Sequence, residues 1–126
     1  SAPVVDEADG QAETTDRTPD FIDDVQQYVD SHIGEGDVDL ADLAARFGVT
    51  RATFTRKVKQ HTGLTSAAYI TSRRIRKACQ LLQTADMTVA QVAEACGYSD
   101  TAYFIMVFRK SMNKTPKQYK DEWLKP

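Results

Sequence analysis

The sequence is poor in the residues that build catalytic, metal-binding or disulfide-bonded sites. Its 126 residues include two cysteines and two histidines. Cys79 and Cys96 lack the paired spacing of a zinc site and are too few for a disulfide framework; both fall in predicted helices, where small buried thiols explain them. His32 and His61 fall at predicted helix ends, where the helix dipole favours an imidazolium. We therefore expect no enzyme activity, no cofactor and no metal.

Long apolar runs and an export leader are also missing. The longest unbroken apolar run is residues 103–108, far below the roughly 20 residues that a membrane span needs. The chain opens on Ser1 without a basic-then-apolar leader, which predicts a fragment of a longer protein without an export signal. A length of 126 residues excludes barrels and doubly wound nucleotide-binding folds. We expect a soluble, cytoplasmic chain with no membrane partner.

Charges of opposite sign are separated along the chain. The net charge is −2, but residues 1–45 hold 13 acidic residues and one basic residue, whereas residues 46–126 hold 15 basic and 5 acidic residues. No Asp or Glu lies between Asp42 and Asp86, an interval with nine Lys and Arg residues. Such an interval is typical of a surface that attracts phosphates. A solvated basic face kept for solubility is the simpler alternative.

The composition also divides the chain into a tail and a folded part. Residues 1–17 contain no aromatic residue, show no apolar periodicity and carry excess negative charge. Such a segment cannot bury enough surface to offset its chain entropy, so we predict a disordered acidic linker. Residues 18–126 are predicted to form the folded domain.

Helix start and stop residues predict about seven helices in that domain. The first is expected over about 19–33 and the second ends near Phe47, while the run 103–108 (YFIMVF) also suits a buried strand. The expected helix starts are Thr18-Pro19, Asp39, Thr50, Thr65, Thr88, Ser99 or Asp100, and Thr115-Pro116. The expected stops are Gly34, Gly48, Gly63 and Gly97.

An internal duplication decides the ambiguous run in favour of a helix. Residues 39–50 (DLADLAARFGVT) align with residues 88–99 (TVAQVAEACGYS) at an offset of 49. At an offset of 50, Phe54 then falls on Phe104 and Val58 on Phe108. Each copy is a helix, a short glycine turn and a second helix, which is a helix-turn-helix. The predicted fold is all-α: two helix-turn-helix subdomains, at about 39–63 and 88–113, joined by a long connecting helix at 66–83.

These motifs resemble a known family of regulators. The segment from Phe21 to Trp123, about 100 of the 126 residues, is similar to the two-motif DNA-binding domain of the AraC/XylS family of bacterial transcription regulators. The resemblance is carried by Ala93, Gly97, Tyr98, Tyr103-Phe104, Phe108, Thr115-Pro116 and Tyr119 in the second copy, and by Arg74-Ile75, Ala78 and Leu81-Leu82 in the connecting helix. It implies sequence-specific binding of double-stranded DNA by the output domain of a regulator. An upstream sensing or receiver domain and RNA polymerase are further partners that such a role allows.

The third helix is the predicted reader of bases. Phe54 and Val58 form its buried stripe, so the opposite face is left outward. Arg56 is the most specific candidate because a guanidinium can bond guanine O6 and N7 together, and the resemblance places a base-reading arginine there. A surface cation or a phosphate contact is the alternative for this residue. The predicted base contacts of this helix are Arg51, Ala52, Thr55 and Arg56.

The second reading helix departs from the family pattern. Its predicted buried stripe is Phe104, Val107, Phe108 and Met112, and its predicted base contacts are Thr101, Ala102, Ile105 and Met106. Met106 aligns with Arg56, where family members commonly carry a polar or basic residue. Ile105 and Met106 can touch thymine methyl groups but cannot donate to guanine. We expect weaker, thymine-tolerant reading; packing against another domain or subunit is the alternative.

Sequence-independent attraction is expected from a helix start and from cations. The predicted phosphate contacts are Thr50, Lys57, Lys59, Arg73, Arg76, Lys77, Arg109 and Lys110. For Arg74 an ion pair or a cap between the two halves is favoured over a DNA contact.

The length of the connecting helix predicts how the two readers are used. At 1.5 Å per residue it is roughly 27 Å long, close to the roughly 34 Å helical turn of DNA. The two reading helices are therefore expected to enter consecutive major-groove segments. A helical protein–protein interaction module with a basic face is the alternative function.

Overall fold

The computed structural model describes residues 19–84 and 86–125, which form seven α-helices, one short 3-10 helix and no strand. The helices are α1 Pro19–Ser31, α2 Leu40–Arg46, α3 Arg51–Thr62, α4 Ser66–Thr84, α5 Val89–Ala95, α6 Thr101–Met112 and α7 Pro116–Trp123, with the 3-10 helix at Ile33–Glu35. The all-α prediction is confirmed, and the ambiguous run 103–108 lies inside α6. The predicted linker 1–17 and the predicted cap at Thr18 lie outside the described residues.

Side chains cap these helices largely as the sequence predicts. Thr88 and Thr115 each form a capping box, with a glutamine at the third helical position bonding back to the threonine amide. Asp100, not Ser99, caps α6, and its carboxylate accepts a hydrogen bond from the Tyr103 amide at 3.1 Å. The first helix is shorter than predicted and ends at Ser31, because the chain then turns into the 3-10 helix.

The duplication is exact in helix length. Both first helices of the two motifs, α2 and α5, have seven residues, and both second helices, α3 and α6, have twelve. The turns within the motifs pass through Gly48 and Gly97 in the left-handed region, with φ of 73° and 91°. The second helices end at Gly63 and at Asn113, and asparagine tolerates this conformation better than most residues.

The described residues divide into two compact units, the first of which comprises 19–29 and 39–69. It holds most of α1, all of α2 and α3, and the first turn of α4. The rings of Phe21, Phe47 and Phe54 lie with centroids 6.1–6.2 Å apart, so the three elements meet in an aromatic cluster. The buried apolar residues of this unit are Val25, Val29, Leu43, Ala44, Phe54, Val58 and Tyr69.

The second unit comprises residues 30–38, 70–84 and 86–125. Its buried cluster takes side chains from α4, from α5 and its C-cap residue Cys96, and from α6: Ile75, Ala78, Leu82, Val92, Ala93, Cys96, Phe104 and Phe108. Two residues expected on the buried stripe of α6, Val107 and Met112, are only partly buried against this cluster. No helix among the described residues is long and apolar enough to cross a membrane.

Candidate nucleic-acid interface

The outward face of α3 is cationic and carries no carboxylate. The predicted inner stripe is confirmed, because Phe54 is 1% exposed and Val58 is fully buried. Of the residues predicted outward, four are exposed: Arg51, Ala52, Arg56 and Lys59. Since all twelve residues of the helix include no Asp or Glu, a polyanion meets attraction along the whole face.

Thr55 is less accessible than the sequence predicts. It is half-buried, and the Ser66 hydroxyl at the start of α4 donates a hydrogen bond to the Thr55 hydroxyl at 3.3 Å. The sequence does not reveal this hydrogen bond, because a partner eleven positions away leaves no local pattern. Thr55 thus lies at the edge of the outward face, and its base contact stays a prediction.

The amino end of α3 is built around Thr50. Its hydroxyl accepts a hydrogen bond from the Thr53 amide at 3.2 Å and begins the helix. The amides of Arg51 and Ala52 precede the first intrahelical bond, so they are directed along the axis away from the helix. Lys57 is half-buried, with its Nζ 4.9 Å from the centroid of the Phe21 ring. The phosphate contacts of Thr50, Lys57 and Lys59 stay predictions.

Among the α4 cations, Arg73 already has an anionic partner. Its Nε and Nη2 donate to the two carboxylate oxygens of Asp30 at 2.9 and 2.6 Å, a bidentate pair within the second unit. Arg76 is exposed and Lys77 half-buried in the same hollow. A phosphate would therefore compete with the Asp30 carboxylate for Arg73. The Arg73–Asp30 pair does not engage Arg76 or Lys77, and their phosphate contacts stay predictions.

We expect Asp30→Asn to tighten binding to random duplex DNA by about two- to fivefold, because it removes a carboxylate and releases Arg73. Fluorescence anisotropy at low salt measures the change. In an Arg73→Ala background the gain should shrink, since there is no guanidinium to release. An equal gain in both backgrounds would show that Arg73 makes no phosphate contact.

Arg74 has a structural role, as a cap within the second unit. The residue is 7% exposed, and its Nη1 donates to the carbonyl oxygens of Ile33 at 2.7 Å and Cys96 at 2.6 Å, while Nη2 donates to that of Gly36. Charge-assisted bonds of this kind offset the cost of burying the cation. Arg74 thus caps the end of α5 and holds the 33–36 segment within the second unit.

The outward face of α6 is mostly apolar. Ala102, Arg109 and Lys110 are exposed as predicted, and Met106 is 57% exposed. Ile105 is half-buried because part of its side chain packs against the core cluster, so it is less accessible than the sequence predicts, and its base contact stays a prediction.

Three further features distinguish α6 from α3. Tyr103 is 52% exposed and was not among the predicted contacts, although its position three residues before Met106 places both on one helix face. Thr101 is half-buried. The cap of α6 is the Asp100 carboxylate, where α3 has the neutral Thr50. The amino end of α6 therefore disfavours phosphate, and its cations lie in the last turn.

The cysteines show no feature of a reactive site. Burial raises the pKa of the Cys96 thiol to about 11, and burial also raises the pKa of the half-buried Cys79. Both groups are protonated at neutral pH, so neither supplies the nucleophilic thiolate. Within residues 19–84 and 86–125, no cluster of three His, Cys, Asp or Glu residues is arranged to hold a metal.

Two helix-turn-helix motifs, each with an exposed face on its second helix, define a DNA-binding protein of the double helix-turn-helix class. A family model described as "Helix-turn-helix domain" matches residues 43–122. The chain is 36% identical over 86 residues to the HTH-type transcriptional activator RhaS of Pectobacterium carotovorum, a match that covers 68% of this chain and 31% of the relative. RhaS of Salmonella arizonae is 32% identical over 96 residues, covering 76% and 34%. The chain spans about a third of the length of these relatives.

Solved structures show the same fold. The C-terminal domain of AraT, a response regulator from Geobacillus stearothermophilus, has a TM-score of 0.75 and 28% identity, covering 83% of this chain and 86% of that one. The DNA-binding domain of AdpA, solved in complex with a target DNA, has a TM-score of 0.74 and 27% identity, covering 81% and 91%. The chain belongs to the AraC/XylS family of bacterial transcription regulators. Its function is DNA binding in transcription regulation, as the sequence predicts. This function is not a class of enzyme activity.

Proposed function

We propose that the chain is the sequence-specific output domain of its regulator and that α3 is its principal base reader. The observation that carries the proposal is the outward face of α3, where exposed Arg51, Arg56 and Lys59 stand opposite a fully buried Phe54–Val58 stripe. Because the inner stripe is locked in a core, the outward side chains are presented on a rigid helix. Arg56 lies in the second turn, with cations on either side along the helix, and its guanidinium suits the major-groove edge of guanine.

The proposal includes α6 as a second reader, with α3 and α6 in consecutive major-groove segments. The equal lengths of α3 and α6 and the matching turns before them support the same mode of entry for both. A domain that reads two segments protects more than one helical turn of DNA, so a nuclease footprint of a single chain should exceed roughly 10 base pairs.

The complete regulator is expected to contain a further domain and to have further partners. We propose a sensing or receiver domain upstream in the same polypeptide, since the chain spans about a third of RhaS and AraT is described as a response regulator. RhaS is described as a transcriptional activator, which supports RNA polymerase as a partner of the complete protein. Because bacterial DNA lies in the cytoplasm, we propose that the protein acts there.

A salt titration tests the proposed DNA binding. The seven predicted phosphate contacts that are made by Lys or Arg predict that log affinity falls with log salt with a slope of about −6. Anisotropy with a labelled duplex between low and physiological salt measures it. Lys59→Ala should make the slope shallower by about one. The matched control is Lys117→Ala, because Lys117 is also an exposed lysine and pairs with Asp121 on α7; it should leave the slope unchanged. A slope near zero for the original chain would contradict the proposal.

A further inference from the structure

The outward face of α6 contains a shallow apolar hollow that the sequence did not predict. Its volume is about 500 Å³. The residues that line it are Ala102, Ile105, Met106, Arg109, Lys110 and Thr115. We call it the α6 hollow. Apolar side chains provide most of its lining, while the two cations belong to the last turn of α6.

The α6 hollow is lined by residues that align with the proposed base-reading residues of α3. Met106 aligns with Arg56 at an offset of 50, and Ala102 aligns with Ala52. The thioether of Met106 has no proton to donate, so it cannot bond guanine as an arginine does. What Met106 and Ile105 offer is apolar surface, and the major groove presents apolar surface only at the 5-methyl group of thymine.

We propose that the α6 hollow binds thymine 5-methyl groups, so that α6 selects A·T pairs while α3 selects guanine. This inference rests on the proposed function. It makes the preferred DNA site chemically asymmetric, with a guanine-containing segment read by α3 and a thymine-containing segment read by α6.

The charge around the α6 hollow favours DNA over an apolar protein partner as its occupant. Arg109 and Lys110 line the hollow itself and are exposed, so phosphates beside a bound thymine would lie next to them. Asp100 lies at the other end of the helix, which confines phosphate contacts to the carboxyl end. An apolar protein segment would leave both cations without a matching charge.

The test compares thymine with deoxyuridine, which lacks only the 5-methyl group. The preferred duplex is first selected from a random pool with the whole chain. Selection with Arg56→Ala then identifies the segment read by α3, since preference relaxes there. Deoxyuridine is next placed at each thymine of the other segment, and anisotropy measures the affinity of the unaltered chain. We expect a loss of about fourfold for each methyl group buried in the hollow.

A variant assigns the effect to the hollow. Met106→Ala should bind the thymine and deoxyuridine duplexes with nearly equal affinity. Leu124→Ala is the matched control, because Leu124 is 58% exposed and Met106 57%, and Leu124 does not line the hollow; it should keep the full fourfold difference. Circular dichroism verifies that each variant is folded, and the deoxyuridine measurement on the unaltered chain decides the question without any variant.

Each contrary outcome has a distinct meaning. Equal affinity of the unaltered chain for the thymine and deoxyuridine duplexes would overturn the inference and would favour a protein partner for the hollow. The proposed function would still stand in that case, because it depends on the base preference that Arg56 provides. Full deoxyuridine sensitivity in Met106→Ala would also overturn it, since the methyl group would then be bound elsewhere. Failure to select any sequence would overturn the proposed function, and with it this inference.

Discussion

Gly97→Ala is expected to destabilise the second unit by about 3–5 kcal/mol, whereas Gly48→Ala should cost the first unit only about 1–2 kcal/mol. The two glycines occupy the same position in the two motifs, at an offset of 49. Both have positive φ, so each alanine adopts a left-handed conformation that L-residues avoid. This part of the cost is common to both substitutions.

The difference between them comes from Arg74 and from the Ile33 carbonyl group that Arg74 binds. A Cβ added at Gly97 would lie 1.9 Å from Arg74 Nη1 and 2.4 Å from the Ile33 carbonyl oxygen, whereas at Gly48 nothing lies within 4 Å. The guanidinium cannot move away cheaply because three carbonyls hold it in a buried site. Gly97→Ala therefore adds overpacking, and the loss of buried hydrogen bonds, to the backbone strain.

Denaturant unfolding measures both effects. Trp123 is the single tryptophan and stacks on Tyr119 in the second unit, so its fluorescence follows the unit that Gly97 belongs to. Circular dichroism follows the helices of both units. Equal losses of stability for Gly48→Ala and Gly97→Ala would show that Arg74 does not constrain this turn.

Arg56→Ala is expected to weaken binding to the preferred duplex by about 1–3 kcal/mol and to relax the preference at one base pair. The physical reason is the loss of a two-bond contact to guanine, which a truncated side chain cannot replace. Affinity for random duplex should fall less, because only one phosphate attraction is lost there. Anisotropy with the preferred duplex, with its variant at each position and with random duplex gives the three affinities.

Arg56→Lys is the matched control because it keeps the charge and removes the planar fork. It should bind random duplex as tightly as the original chain while losing most of the preference at the same base pair. Equal losses on preferred and random duplex for Arg56→Ala would remove this residue from the base readers and leave it as a phosphate contact.

Local features of the sequence were enough to place most of the fold. Caps such as Thr88 and Thr115, and the left-handed stop at Gly63, act within four residues, so their effect is readable from neighbouring positions. The duplication then decided the ambiguous run 103–108, because an aligned segment with helical periodicity was available for comparison. Family membership could be predicted from the same spacings.

The candidate interface was less predictable, because accessibility is decided by partners distant in the sequence. Thr55 is bonded by Ser66, and Arg73 is engaged by Asp30 across 43 positions. Ile105 was expected outward from its helical register, yet the neighbouring elements of the second unit cover part of it. None of these contacts leaves a periodic pattern in the sequence.

The sequence by itself determined the all-α class, the two motifs, the cationic character of α3 and the apolar residue at position 106, because composition, helix caps and helical period are local properties. Only the tertiary structure decided that Arg74 is held by three carbonyls, that Gly97 admits no side chain, and that residues of α6 and Thr115 line a shallow hollow. Those features depend on atoms that meet only when separate helices pack, and packing determines which neighbours a side chain has.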